Sequence, residues 1–156
     1  MKDLSEASNF LDEIRIPLRL TAKTSTGWPV VISLWFQYQN SLLVCATQKT
    51  ARIVSYLEID PRCAFEIAPD HPPYRGVRGQ ALAQIDYSKG KQVLEQLLYR
   101  YVGGLDNPFA KRLLAKSDNE VAIILDPKRV YTWDFSDRMK EISPQMLALA
   151  SSDANL

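Results

Sequence analysis

The stretch Ser41–Ile67, SLLVCATQKTARIVSYLEIDPRCAFEI, constrains this chain most. It reads as strand, polar turn, short helix and strand with little between them. The first strand is the apolar run Leu42–Ala46, the turn is Thr47-Gln48-Lys49-Thr50, and the second strand is Cys63–Ile67. The helix, about Ala51 to Glu58, must stop before Asp60-Pro61, because the residue preceding a proline is pushed out of the helical region. Thr47, Lys49, Thr50 and Arg52 put two hydroxyls and two cations on the turn and the first helical turn. A helix start adds unpaired backbone N–H groups and the positive end of the helix dipole. Together they can hold a phosphate or carboxylate. The competing reading is structural, with Thr50 a plain N-cap and both cations solvated.

The flanking sequence is strand-rich. Leu4, Ala7, Phe10, Leu11 and Ile14 fall on one helical stripe. In Arg15–Thr24 the apolar residues Ile16, Leu18, Leu20 and Ala22 alternate with polar or basic ones, the period of a half-buried strand. Ser25-Thr26-Gly27 turns into Trp28–Tyr38, a β-branched and aromatic strand, and Asn40-Ser41 turns again. After the proline-rich loop 68–73, Tyr74–Ile85 reads as a long strand with a bulge near Gly79. A helix follows, with Ser88 as N-cap, Val93, Leu94, Leu97, Leu98 and Tyr101 as its apolar face, and Gly103-Gly104 at its end. Asn107-Pro108 opens another helix, to Lys116. Glu120–Asp126 and Arg129–Phe135 read as strands joined by a turn at Pro127-Lys128. A weak helix, Pro144–Ala150, precedes a frayed end, Ser151–Leu156. Directly consecutive strands predict a mainly β (α+β) fold: an antiparallel β-barrel with flanking helices. One domain is expected over residues 1–142, with residues 143–156 as a tail.

Composition narrows the function. The net charge is +1, which argues against nonspecific binding to nucleic acid or membrane. No apolar run approaches a membrane span and the acidic N-terminus lacks a signal-peptide core, so a cytoplasmic protein is expected. The two cysteines, Cys45 and Cys63, lie in strands and read as buried free thiols. With a single histidine, His71, no metal site is expected.

Nucleophile elbows, lysine-bearing glycine-rich phosphate loops and dinucleotide fingerprints are absent, so an enzyme of this composition is expected to borrow its chemistry from a cofactor. Besides the 47–52 turn, three features are candidates for ligand contact. Arg75 and Arg78 could project to one side of their strand. Trp28, Trp35, Trp133 and Tyr131 could wall a planar ring. Ser33-Leu34 places a hydroxyl and backbone in an apolar strand. Each has an ordinary structural alternative: ion pairing, core packing and solvent exposure.

Four segments in this order resemble the pyridoxamine 5′-phosphate oxidase-like family of FMN-binding split β-barrels. They are Trp28–Phe36, Leu42–Thr47, Leu57–Phe65 with its Asp60-Pro61-Arg62, and Tyr74–Ala81 with its Arg78-Gly79-Gln80-Ala81. The resemblance implies a homodimer that binds FMN in clefts between subunits and acts as an oxidoreductase on a small-molecule substrate. It places Ser33, Leu34 and Thr47 beside the cofactor and aligns Ala51-Arg52-Ile53 with the family's Ser-Arg-Lys phosphate run. Lys49 and Thr50, on the same turn, join Arg52 as candidate phosphate ligands. The chain departs from the pattern at Val31, where a strand-two arginine is expected, and at Ile53, where a lysine is expected. A non-catalytic barrel, or one that binds deazaflavin or heme, is the alternative, with His71 the one histidine to ligate heme iron.

Overall fold

The computed structural model describes residues 4–152 and contains seven strands and five α-helices. A single 3₁₀ turn, Leu4–Ala7, leads into α1 (Ser8–Glu13). Then come β1 (Leu18–Lys23), β2 (Pro29–Leu34), β3 (Phe36–Gln39), β4 (Leu42–Gln48), α2 (Arg52–Ile59), β5 (Arg62–Ile67) and β6 (Arg75–Asp86). The chain continues through α3 (Gly90–Val102), α4 (Pro108–Leu114), β7 (Glu120–Asp134) and α5 (Pro144–Ser152). α5 runs past the expected helix end at Ala150, and the rest of the expected frayed end, 153–156, lies outside the described residues.

All seven strands join one antiparallel sheet in the order β2-β1-β5-β6-β7-β4-β3. β2 and β3 are its opposite edges, yet only Trp35 separates them along the chain. A sheet whose two edges are consecutive in sequence must curl until they adjoin, and β2 indeed touches β4 across the seam. The result is the expected barrel, split where β2 and β3 meet without pairing.

Two strand boundaries depart most from the sequence reading. The expected strand Trp28–Tyr38 breaks at Trp35, because the Trp35 ring stacks on Tyr101 of α3, with centroids 4.8 Å apart and planes at 3°. The Tyr101 hydroxyl locks this corner: it donates to Ile16 O at 2.8 Å and accepts from Phe36 N at 3.3 Å. Conversely, the two expected strands around Pro127-Lys128 are one strand, β7. Lys128 is an extra residue between the pairs Gln80↔Arg129 and Ala81↔Pro127. The bulge therefore lies beside Gly79 as expected, between Gln80 and Ala81, but its extra residue belongs to β7, and it accommodates a proline inside a central strand. β6 itself keeps strict alternation. Val77, Gly79 and Ala81 face inward and buried, while Arg78, Gln80 and Leu82 face outward.

Inward residues of the curled sheet form the main core, including Leu18, Leu20, Leu43, Phe65, Ile123 and Leu125. α2 plugs it with Ile53, Val54 and Leu57. A second core layer lies outside the β4–β7 half, where Val93 and Leu97 of α3 pack on Val44 and Ala122. The outward residues of β2, β1, β5 and β6 carry no such cover; Val31, Ser33, Lys23, Arg62, Arg78 and Gln80 are all exposed.

Helix ends follow local chemistry, with two revisions. Asn107 Oδ1 accepts from Ala110 N at 2.8 Å and Gly103 closes α3 at φ 80°, both as expected. Ser88 does not cap α3; its N–H and hydroxyl both turn back to Asp86 Oδ1, at 2.9 and 2.7 Å. α3 starts instead at Gly90, where any Cβ would stand 2.0 Å from Glu120 O. Likewise Ala51, not Thr50, occupies the N-cap position of α2.

Candidate functional site

The polar turn ahead of α2 is shorter than the sequence suggests. β4 continues through Thr47 and Gln48, which pair with Val121 and Glu120. Only Lys49, Thr50 and Ala51 remain to turn the chain. Its backbone is held by Lys49 N donating to Asn119 O at 2.7 Å and Ala51 N donating to Gln48 O at 2.9 Å. Lys49, Thr50 and Arg52 are exposed, and among the described residues no carboxylate reaches ion-pair distance of either cation. The turn thus holds two uncompensated cations and a hydroxyl at the start of a helix, an arrangement suited to an anion. Thr47 is half-buried beside them in the strand.

The β2 candidates divide between the two faces, since successive strand residues point in opposite directions. Ser33 faces outward and is exposed. Leu34 faces inward and packs against the main core, so only its backbone can meet a ligand. The six candidates therefore form two groups: Lys49, Thr50 and Arg52 on one turn, with Thr47 at the strand end leading into it, and Ser33 with Leu34 at the sheet edge. The two departures from the family pattern have different structural consequences. Val31 stands outward, 62% exposed, where a longer polar side chain would also reach solvent. Ile53 is 4% exposed within the core, so the α2 position that carries it is used for packing.

The other aromatic and basic candidates do not assemble into one wall. Trp28 is exposed, Trp35 is stacked in the corner, and Trp133 lies on the outer face. Arg75 and Arg78 occupy opposite faces: the Arg75 guanidinium lies 5.6 Å from the Phe10 ring and that of Arg78 lies 5.4 Å from Trp133. Trp133 lies close over Gly76, where an added Cβ would meet its ring at 2.8 Å.

Sequence reasoning did not anticipate two grooves on the outer sheet face. One, of about 530 Å³, is lined by Lys23, Arg62, Ala64 and Leu82 among others. The second, of about 390 Å³, is lined by Arg19, Val31, Glu66, Arg78 and Tyr131 among others. Both include Thr21, Ala64 and Gln80, so they adjoin over a floor of mostly short side chains. The cross-strand register explains the shape. The row Val31–Thr21–Ala64–Gln80 runs beside the row Ser33–Arg19–Glu66–Arg78–Tyr131, whose side chains are mostly longer. The signal for Arg19 was the alternation in Arg15–Thr24, which put it outward; nothing local marked its cross-strand neighbours.

Charge on this face is partly compensated. Asp60 accepts from Arg62 at 2.7 Å and pairs with Lys23 at 3.2 Å, which holds its carboxyl well below the usual range. The thiols stay protonated. Burial pushes Cys63 up to about 12 and Cys45 further still, and Cys63 Sγ donates to Ala81 O at 3.4 Å. His71 lies exposed in the 68–73 loop, its Nδ1 3.3 Å from Pro72 O, and makes no pair with either buried thiol.

No family model and no curated protein matches the chain. Solved structures do. A conserved hypothetical protein of Mycobacterium tuberculosis superposes at TM-score 0.75 with 19% identity, covering 92% of each chain. An F420 reductase gives 0.67 at 20% identity, over 84% of this chain and 97% of its own. HutZ, the heme storage protein of Vibrio cholerae, gives 0.62 at 18% identity, over 83% and 94%. At these identities the likeness is one of fold, and that fold is the pyridoxamine 5′-phosphate oxidase-like split barrel.

Proposed function

We propose that this protein is a flavin-dependent oxidoreductase that binds FMN in clefts between the two subunits of a homodimer. The observation that carries the reading is the turn before α2, where Lys49, Thr50 and Arg52 stand exposed with, among the described residues, no carboxylate paired to them. These three residues fit a phosphate. Ser33, the backbone at Leu34 and Thr47 would flank the ring. When bound, the flavin supplies the hydride chemistry. The chain's own residues bind and orient it: the cations fix the phosphate end, and the apolar edge strand keeps water from the ring.

With valine at 31 and a core isoleucine at 53, the phosphate rests on fewer cations than the family pattern provides. The similarity to an F420 reductase favours a phosphate-bearing deazaflavin as the second cofactor to try. The similarity to HutZ favours heme as the third, although the one histidine, His71, stands on an exposed loop outside the barrel.

The test is the visible spectrum of purified protein titrated in parallel with FMN, F420 and heme. A saturable shift of the flavin band supports the reading. An unchanged flavin spectrum with a sharp Soret band for heme overturns it. Arg52→Ala should weaken FMN about tenfold, the loss of one charge-assisted contact, and leave riboflavin unchanged. Equal losses for both would remove Arg52 from the phosphate site. A monomer by light scattering at micromolar concentration would overturn the shared cleft.

A further inference from the structure

We infer that the 390 Å³ groove on the outer sheet face is an anion-recognition site, in which Arg19 and Arg78 hold a phosphate or carboxylate group of a ligand whose body lies against Val31 and Tyr131. The inference deepens the flavin reading and rests on it for the ligand's identity alone. The site itself rests on register. Arg19 pairs with Ser33 on one side and Glu66 on the other, and Glu66 pairs with Arg78. All four side chains point outward. The two arginines stand two strand spacings apart, about 10 Å at Cα, and line the same groove. Arg19 is on β1, in the row next to Val31, so the groove has a cation although β2 supplies none.

Both guanidinium groups are oriented and able to exchange partners. Arg78 lies over Trp133 at 5.4 Å, which occupies its face and leaves its N–H edges for an oxyanion. Arg19 donates to Ala68 O at 3.3 Å and to Asp70 at 2.7 Å. Asp70 is 87% exposed, and an exposed pair of this kind is worth little. An incoming anion can displace it. Glu66 opposes the anion, but among the described residues it forms no ion pair and its single charge faces two cations.

Pyrophosphate, titrated by calorimetry into the full chain, is the probe. Saturable binding that weakens about tenfold in Arg19→Gln and in Arg78→Gln, and is lost in the double variant, is the expected result. Glu66→Gln should tighten it. Absence of binding to the wild type, or binding unchanged in a double variant that melts like the wild type, overturns the site. Parallel titrations with FMN and riboflavin assign the anion. Selective loss of FMN in the double variant places the cofactor's single phosphate here and overturns its assignment to the Lys49–Arg52 turn, whereas unchanged FMN with lost pyrophosphate gives the site to the substrate. If no flavin binds to any variant while pyrophosphate behaves as expected, the flavin reading fails and the site stands.

Discussion

The Trp35 corner and the turn before α2 belong to the same barrel and are built on opposite rules. At the corner nearly every polar group has a partner. Tyr101 serves Ile16 and Phe36. Arg100 donates to the carbonyls of Leu11, Asp12 and Ile14 at the end of α1, with its guanidinium over the Phe36 ring. At the turn, Lys49 and Arg52 have no acidic partner among the described residues, and α2 begins without a side-chain cap. Satisfied groups set geometry. Uncompensated charges contribute little to stability and are free for recognition. The contrast separates scaffold from site without reference to any ligand.

The largest expected effect breaks the scaffold side. Trp35→Ala removes the stacked ring on which the seam closes and should cost about 3 kcal/mol in denaturant unfolding. A loss below about 1 kcal/mol would mean that the seam closes without it. The core thiols give the next effect. Both are protonated in the folded state at neutral pH and freer to ionise when unfolded. Their contribution is therefore complete below the ordinary thiol value of 9.0 and is lost as pH rises toward about 12 for Cys63. Stability should fall above pH 9 by up to about 1.4 kcal/mol per pH unit for each thiol. Cys45→Ala with Cys63→Ala should flatten that slope, and an unchanged slope would assign it to other groups. Tyr101→Phe removes one hydroxyl from the corner and should cost about 1 kcal/mol. At the small end, Arg52→Ala should leave the melting temperature unmoved while weakening FMN. A clear drop in melting temperature would mean that the turn is scaffold after all.

How legible each feature was depended on how local its cause is. The Asn40-Ser41 turn could be read because two left-handed residues, at φ 51° and 65°, are what a two-residue hairpin needs. The Asn107 cap and the Gly103 stop are equally local. The break at Trp35 was hidden because its cause, Tyr101, lies far along the chain. The continuity of β7 was hidden because Pro127-Lys128 reads as a turn unless β6 is known to run alongside. Ser88 and Thr50 are good caps by type. Yet Asp86 recruits the first, and the chain enters α2 through Ala51 rather than the second. Within the site, Lys49, Thr50 and Arg52 were legible as neighbours in sequence. The Arg19–Glu66–Arg78 row was not, since it assembles three strands whose order only the fold supplies.

That strand order also bears on how the molecule is made. β7 alone connects the β2-β1-β5-β6 half of the sheet to the β4-β3 half, and it comes last of the strands. Until residues 120–134 leave the ribosome, a growing chain holds two unfinished half-sheets with open edges facing each other, a state prone to sticking to its neighbours. We expect pulsed hydrogen exchange to show the β4, β6 and β7 amides gaining protection in one step. Earlier protection of β4 would mean that the halves mature independently. In this architecture the strand that finishes synthesis last is also the one that decides whether the earlier ones become a barrel.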